Sequence, residues 1–172
     1  RFLSHYLNKK NYKVVHYSSP HILTFNERIW INGTDSSSDV LESAHLKLQE
    51  IISDELIKKL TYFEYTTLLC FYISSSYDYL VLEAGLGGEF DATNVVVNDL
   101  SLITTIDFDH QSFLGDTIEE IATTKLRSCD NKMIVNEQLH EEVYEVASNY
   151  DYIKTEEFDL SSLNFMPTYL LQ

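Results

Sequence analysis

Glu83 and the glycines Gly85, Gly87 and Gly88 follow one another closely in LEAGLGG, directly after an apolar run. Glycine permits positive φ and lets the main chain approach a ligand closely. A carboxylate at the carboxyl end of a parallel strand lies where open α/β sheets bind their ligands. The same spacing also serves a tight strand-to-loop turn. It is not a Walker A loop, since no GK[ST] follows, and the dinucleotide fingerprint is incomplete. A second cluster repeats the pattern: SLITTID runs into Asp107, Asp109 and His110. Two acids and an imidazole can ligate Mg²⁺ or Mn²⁺; equally, the aspartates can cap the next turn. Two strand ends with the same pattern shift the balance toward a site. No cysteine or second histidine has the local spacing of a zinc centre.

The elements that must position these residues can be read from periodicity. Phe2, Leu3, Tyr6 and Leu7 form a helical stripe, and YKVVHYSS reads as a strand closed by Pro20. Residues 39–58 predict an amphipathic helix with Val40, Leu41, Ala44, Leu48, Ile51 and Ile52 facing the core. FEYTTLLCFYI (63–73) reads as a buried helix, although its aromatic content also suits a strand. YLVLEA (79–84), SLITTID (101–107) and KMIVN (132–136) have strand length and composition. Thr117-Ile118-Glu119-Glu120 is a capping box that opens a helix running to about Lys125, and residues 137–148 form an acidic amphipathic helix. Strands alternating with helices predict an α/β fold with a mainly parallel sheet flanked by helices, in one compact unit.

The remaining reactive side chains carry less. His16 lies within a strand and reads as packed, while His5, His45 and His140 fall on helices with no partner signal. Cys70 reads as a small core hydrophobe and Cys129 lacks an obvious base. Lys125 takes the position of a helix C-terminal lysine opposing the dipole.

The 172 residues carry 12 basic and 27 acidic side chains, a net charge of −15. That balance excludes a general nucleic-acid binder, which needs a basic footprint. No apolar run approaches the ~20 residues of a membrane span. Two cysteines make neither a disulfide framework nor a zinc cluster, and a reducing cytoplasm is the expected compartment. The charge is unevenly placed: from residue 60 to 124 there is no Lys or Arg but eleven acids. Most of these read as solvated surface. Acids at strand ends could instead gather a cation, and an anionic nucleotide would need Mg²⁺ between itself and such a site.

Four blocks, HYSSPHILTFNERIWING (16–33), LTYFEYTTL (60–68), YLVLEAGLGGEFDATNVV (79–96) and DFDHQSFLGDTIEEIATTKL (107–126), closely resemble the folylpolyglutamate synthase/dihydrofolate synthase family of the Mur ligase superfamily. The resemblance implies an incomplete Mur-ligase central ATPase-like domain over residues 1–172, with a phosphate loop upstream and a C-terminal ligase domain beyond. It implies an ATP-dependent amide-bond ligase that joins L-glutamate to dihydropteroate or reduced folates through an acyl phosphate, with the 172-residue piece inactive alone. Ser19, Glu83, His110 and Lys125 match metal-site residues, for Mg²⁺ with K⁺ or Mn²⁺ as alternative cations. Lys125 and His110 match catalytic positions, and Lys125 the lysine carbamylated in this family. Gly85, Gly87 and Gly88 match the cofactor-binding stretch. Thr61, Phe63, Asp91 and Ala92 match positions that hold the pterin. The implied partners are small molecules only (ATP, L-glutamate, and dihydropteroate or folate) with a monomeric, cytoplasmic enzyme and no nucleic-acid or membrane partner. Two residues depart from the family pattern: Glu89 stands where many relatives carry Arg, and Asp107 where a glycine is common. Alternative readings are a Mur-type ligase for another carboxylate and a non-catalytic acidic binding domain.

Overall fold

A computed structural model describes residues 1–155. Their packing gathers into two compact units, Arg1–Val97 and the described residues from Asn98 onward, where the sequence reads as one. Each unit has its own sheet and its own apolar core, which is the physical basis of the division.

The first unit opens with α1 (Phe2–Lys9) and β1 (Val14–Tyr17). Next come β2 (Ile29–Ile31) and β3 (Thr34–Asp35), then α2 (Ser38–Ile51), α3 (Asp54–Ile57), α4 (Tyr62–Ser74) and β4 (Tyr79–Leu82). The sheet order is β3-β2-β1-β4, with β1 parallel to β4 and antiparallel to β2. All four β1 residues are buried, as a strand flanked on both sides requires. Val15, Tyr17 and Ile29 of the sheet meet Ala44 and Leu48 of α2 and Leu69 and Cys70 of α4 in the core.

The helix expected over 39–58 breaks after Ile51. Ser53 there accepts a hydrogen bond from the Leu56 N–H and starts α3, so the chain turns. Val40 and Ile51 are 39% and 68% exposed, because the buried stripe of α2 runs through Ala44 and Leu48 with Leu41 beside it. The hairpin of β2 and β3 was not expected, although Asn32-Gly33 at its turn takes positive φ at both residues.

The second unit holds β5 (Leu100–Ile103), α5 (Gln111–Leu114), α6 (Ile118–Leu126), β6 (Lys132–Val135), α7 (Glu141–Ala147) and β7 (Tyr152–Lys154). Its three strands are parallel, in the order β5-β6-β7. The helix at 117–126 starts as expected: the Thr117 side chain accepts from the Glu120 N–H and the Glu120 carboxylate accepts from the Thr117 N–H. The strand expected over 101–107 stops at Ile103. Beyond it the side chain of Gln138 takes over the backbone pairing, accepting from the Ile106 N–H at 2.8 Å and donating to the Thr104 carbonyl at 3.1 Å. Both units are therefore helix-flanked sheets, and three of the five strand pairings are parallel: both in the second unit, and β1 with β4 beside two antiparallel pairings in the first.

Candidate functional site

Parallel pairing places Tyr17 of β1 opposite Leu82 of β4, and the Glu83 N–H continues the ladder by donating to the Tyr17 carbonyl at 2.9 Å. Ser19 and Glu83 therefore both stand just past the carboxyl ends of neighbouring parallel strands, the position where such sheets take ligands. Glu83 is exposed and Ser19 half-buried.

The glycine run leaves the same strand end. Gly87 and Gly88 adopt φ of 76° and 129°, conformations that a side chain disfavours. Gly85 answers to a different demand. A Cβ there would lie 2.8 Å from Phe63 Cζ and 3.3 Å from Asp91 Oδ2, so close that the Phe63 ring would have to shift. The loop thus brings Gly85 and Asp91 against Phe63 of α4, where the resemblance grouped Phe63 with Asp91 and placed Gly85 in the cofactor-binding stretch. Phe63 also packs on Tyr17, with ring centroids 5.8 Å apart. Thr61 caps α4: its side chain accepts from the Glu64 N–H, and the Glu64 carboxylate accepts from the Thr61 N–H at 2.7 Å. The hydrogen bond from the Thr61 N–H, and after it one with the Thr61 side chain, hold the Glu64 carboxyl below its usual range.

Asp91 is held from several sides. Its Oδ2 accepts from the Leu86 and Gly87 N–H groups at 2.9 and 3.0 Å. Its Oδ1 accepts from the Thr93 N–H at 3.0 Å and from the Thr93 hydroxyl at 2.7 Å. Ala92 follows as the first residue of a short 3-10 turn, Ala92–Val95. The Leu86 and Gly87 amides thus turn toward Asp91, which spacing alone could not indicate.

The other expected site residues belong to the second unit. His110 precedes α5 in a left-handed conformation, φ 48° and ψ 38°. That backbone is uncommon outside glycine, although histidine adopts it more readily than most side chains. Its carbonyl accepts from the Phe113 and Leu114 N–H groups, and Nε2 lies 3.4 Å from Asp109 Oδ2. Asp107 lies beyond the end of β5 rather than at it, and pairs with His140 at 3.1 Å. The hydrogen bonds from the Phe108 N–H and from His140 hold its carboxyl below the ordinary range. His140 therefore has a partner after all and stands at the N-cap of α7, ahead of the helix. Likewise His45 Nδ1 sits 2.7 Å from the Tyr65 hydroxyl. Lys125 is half-buried in the last turn of α6.

Among the described residues no group of three or more His, Cys, Asp or Glu is close enough to hold a metal. The donors at the first unit's sheet end are a hydroxyl and a carboxylate. Such a sparse all-oxygen set fits Mg²⁺, which keeps most of its ligands as water and phosphate oxygens and takes one or two from protein. It does not fit a structural zinc site.

One further carboxylate organises this region without having been singled out. Glu27 accepts from the backbone N–H groups of Ile22, Leu23 and Thr24 at 2.9, 2.8 and 2.7 Å, fixing the loop after Ser19 and Pro20. Its signal was present in the sequence as T-x-x-E at Thr24–Glu27, the same capping pattern as at Thr117.

No family model matches the chain. A dihydrofolate synthase/folylpolyglutamate synthase of Haemophilus influenzae is 42% identical over 127 residues, which are 73% of this chain and 28% of that protein. The crystal structure of Helicobacter pylori folylpolyglutamate synthetase superposes with a TM-score of 0.83 at 37% identity, covering 99% of this chain and 44% of that one. Escherichia coli FolC, solved in complex with DHPP and ADP, gives a TM-score of 0.74 at 30% identity over 88% of this chain and 37% of its own. The chain thus spans less than half the length of the relatives it matches. Over that span, by sequence and by fold, it belongs to the dihydrofolate synthase/folylpolyglutamate synthase family.

Proposed function

We propose that this chain is part of an ATP-dependent ligase that adds L-glutamate to a pteroate- or folate-type carboxylate. The observation that carries the reading is the sheet end of the first unit. There Ser19 and Glu83 close two adjacent parallel strands, and the glycine run behind them packs Gly85 against Phe63 and Asp91. The E. coli relative solved with DHPP and ADP supports both substrate classes.

In the proposed reaction a carboxylate oxygen of the substrate takes the terminal phosphoryl group of ATP, giving an acyl phosphate and ADP. The glutamate amine then attacks the acyl carbon, loses a proton, and phosphate leaves as the amide forms. Mg²⁺, when bound, offsets the charge between polyphosphate and carboxylate. In the first unit Ser19 and Glu83 would supply hard oxygen donors for it, and in the second unit His110 and Lys125 are proposed as metal-site and catalytic residues. Phe63 presents an aromatic surface and Thr61 a hydroxyl to the flat heterocycle, beside Ala92 and the loop that Asp91 organises. The compartment is proposed to be the cytoplasm; among the described residues no helix is long and apolar enough to cross a membrane.

Glu83→Gln in the full-length protein tests the site. It is expected to lower Mg²⁺-dependent turnover by ~10² or more, as loss of a group stabilising transition-state charge does. The circular dichroism spectrum should not change. Wild-type turnover in the variant would remove Glu83 from the site. A screen of alternative carboxylates would separate the folate reading from a Mur-type ligase for another substrate.

A further inference from the structure

Thr93 was not singled out by the sequence, yet it is 8% exposed and both its hydrogen-bonding groups on one side serve Asp91. An ionised carboxylate has about four lone-pair positions for hydrogen bonds. Asp91 receives four here: two from Thr93 and two from the loop amides of Leu86 and Gly87. The loop is also closed from its far side, where the Asp91 N–H donates to the Gly88 carbonyl at 3.1 Å and the Asn94 side chain donates to the Glu89 carbonyl at 3.1 Å. Gly85 completes the arrangement, because the space a Cβ would need is taken by Phe63.

We propose that Thr93 is a positioning residue: it locks the Asp91 carboxylate, which holds the GLGG loop so that Phe63 and Gly85 keep the close approach on which the heterocycle-binding face depends. Asp91 then acts chiefly through the loop. The Leu86 and Gly87 amides are taken up inside the protein, so this stretch is a rigid wall and not a phosphate cradle. This inference rests on the ligase reading for its substrate, while the clamp itself is a statement about hydrogen bonds alone.

Two measurements on the full-length protein test it together. Thr93→Val keeps the shape and removes the hydroxyl; Thr93→Ser keeps the hydroxyl. In Thr93→Val, amide hydrogen exchange over residues 85–91 should quicken by about tenfold, the scale of one net hydrogen bond. The KM for the pteroate- or folate-type substrate should rise about as much, with the KM for ATP within about twofold of wild type. Thr93→Ser should restore both. Unchanged exchange and KM in Thr93→Val would overturn the proposal. An equal rise in both KM values would overturn it too, since that marks a general loosening. If Thr93→Val does not fold, Asp91→Asn is read in its place. It sets an amide N–H₂ against donors and should quicken exchange over the same residues; protection equal to wild type would overturn the clamp. If the wild-type protein ligates no glutamate, the ligase reading fails by itself, and the exchange comparison of Val with Ser still decides the clamp.

Discussion

Individual side chains divide into those whose chemistry is readable from type and those whose meaning comes from partners. Cys70 belongs to the first group: a small apolar neighbour pattern predicts a core thiol, and it is fully buried, with desolvation pushing its pKa up to about 12. It should resist alkylation at pH 8 in the folded protein and react once denatured; equal rates in both states would contradict this burial. His16 is similar, since burial foremost, with nearby positive charge, lowers its pKa to about 4 and keeps it neutral. Glu27 belongs to the second group. Nothing in its type foretells three backbone donors, although T-x-x-E hints at one. The hydrogen bonds from Ile22, Thr24 and Leu23 lower its pKa, so its contribution is present at neutral pH. It begins to fall below the unfolded carboxyl value of about 4.3 and is gone once pH drops through the lowered folded value. The protection factors at residues 22–24, taken against the intrinsic exchange rate at each pH, are therefore expected to fall as pH drops through that window, and to be low at every pH in Glu27→Gln. A profile in the variant matching wild type would show that Glu27 does not fix this loop.

At the scale of elements, caps and turns were the legible features and short strands the illegible ones. Thr117-x-x-Glu120 announces α6, and the same signature sits at Thr61–Glu64 and Thr24–Glu27. Thr117→Ala is expected to destabilise the second unit by about 1 kcal/mol, seen as a lower midpoint in urea; an unchanged midpoint would mean that the cap is replaced. The hairpin of β2 and β3 escaped notice because its strands have only three and two residues, too few for period-2 alternation to register. The end of β5 escaped for another reason. Gln138, far along the chain, supplies the pairing partner for Thr104 and Ile106, and no local pattern encodes that. Gly85 joins local and distant information. The sequence shows a glycine cluster, but only packing shows that a Cβ at Gly85 would crowd the Phe63 ring. Gly85→Ala should displace the Phe63 ring and raise the KM for the heterocyclic substrate more than that for ATP. Equal kinetics in both would show that the close approach carries no function.

The whole molecule resolves the acid excess into parts with different meanings. Of the eleven acids between residues 60 and 124, Glu64 and Glu120 close capping boxes, Asp91 holds a loop, and Glu83 stands at a sheet end. Composition could bound the class of protein but could not make that division, because hydrogen-bond partners are set by the fold. Fold class was legible from alternation; the split into two units was not, since each core is assembled from segments whose periodicity looks alike. The family follows from ordered blocks of sequence and from the superposition, across a span of 28% of the H. influenzae relative. Amide formation in the full-length protein tests the central claim most directly. With ATP, Mg²⁺, L-glutamate and dihydropteroate or a reduced folate, mass spectrometry should show a product heavier by one glutamate residue, with one ADP released per amide formed. ADP release without any glutamate-bearing product, or no turnover with either carboxylate, would contradict the account.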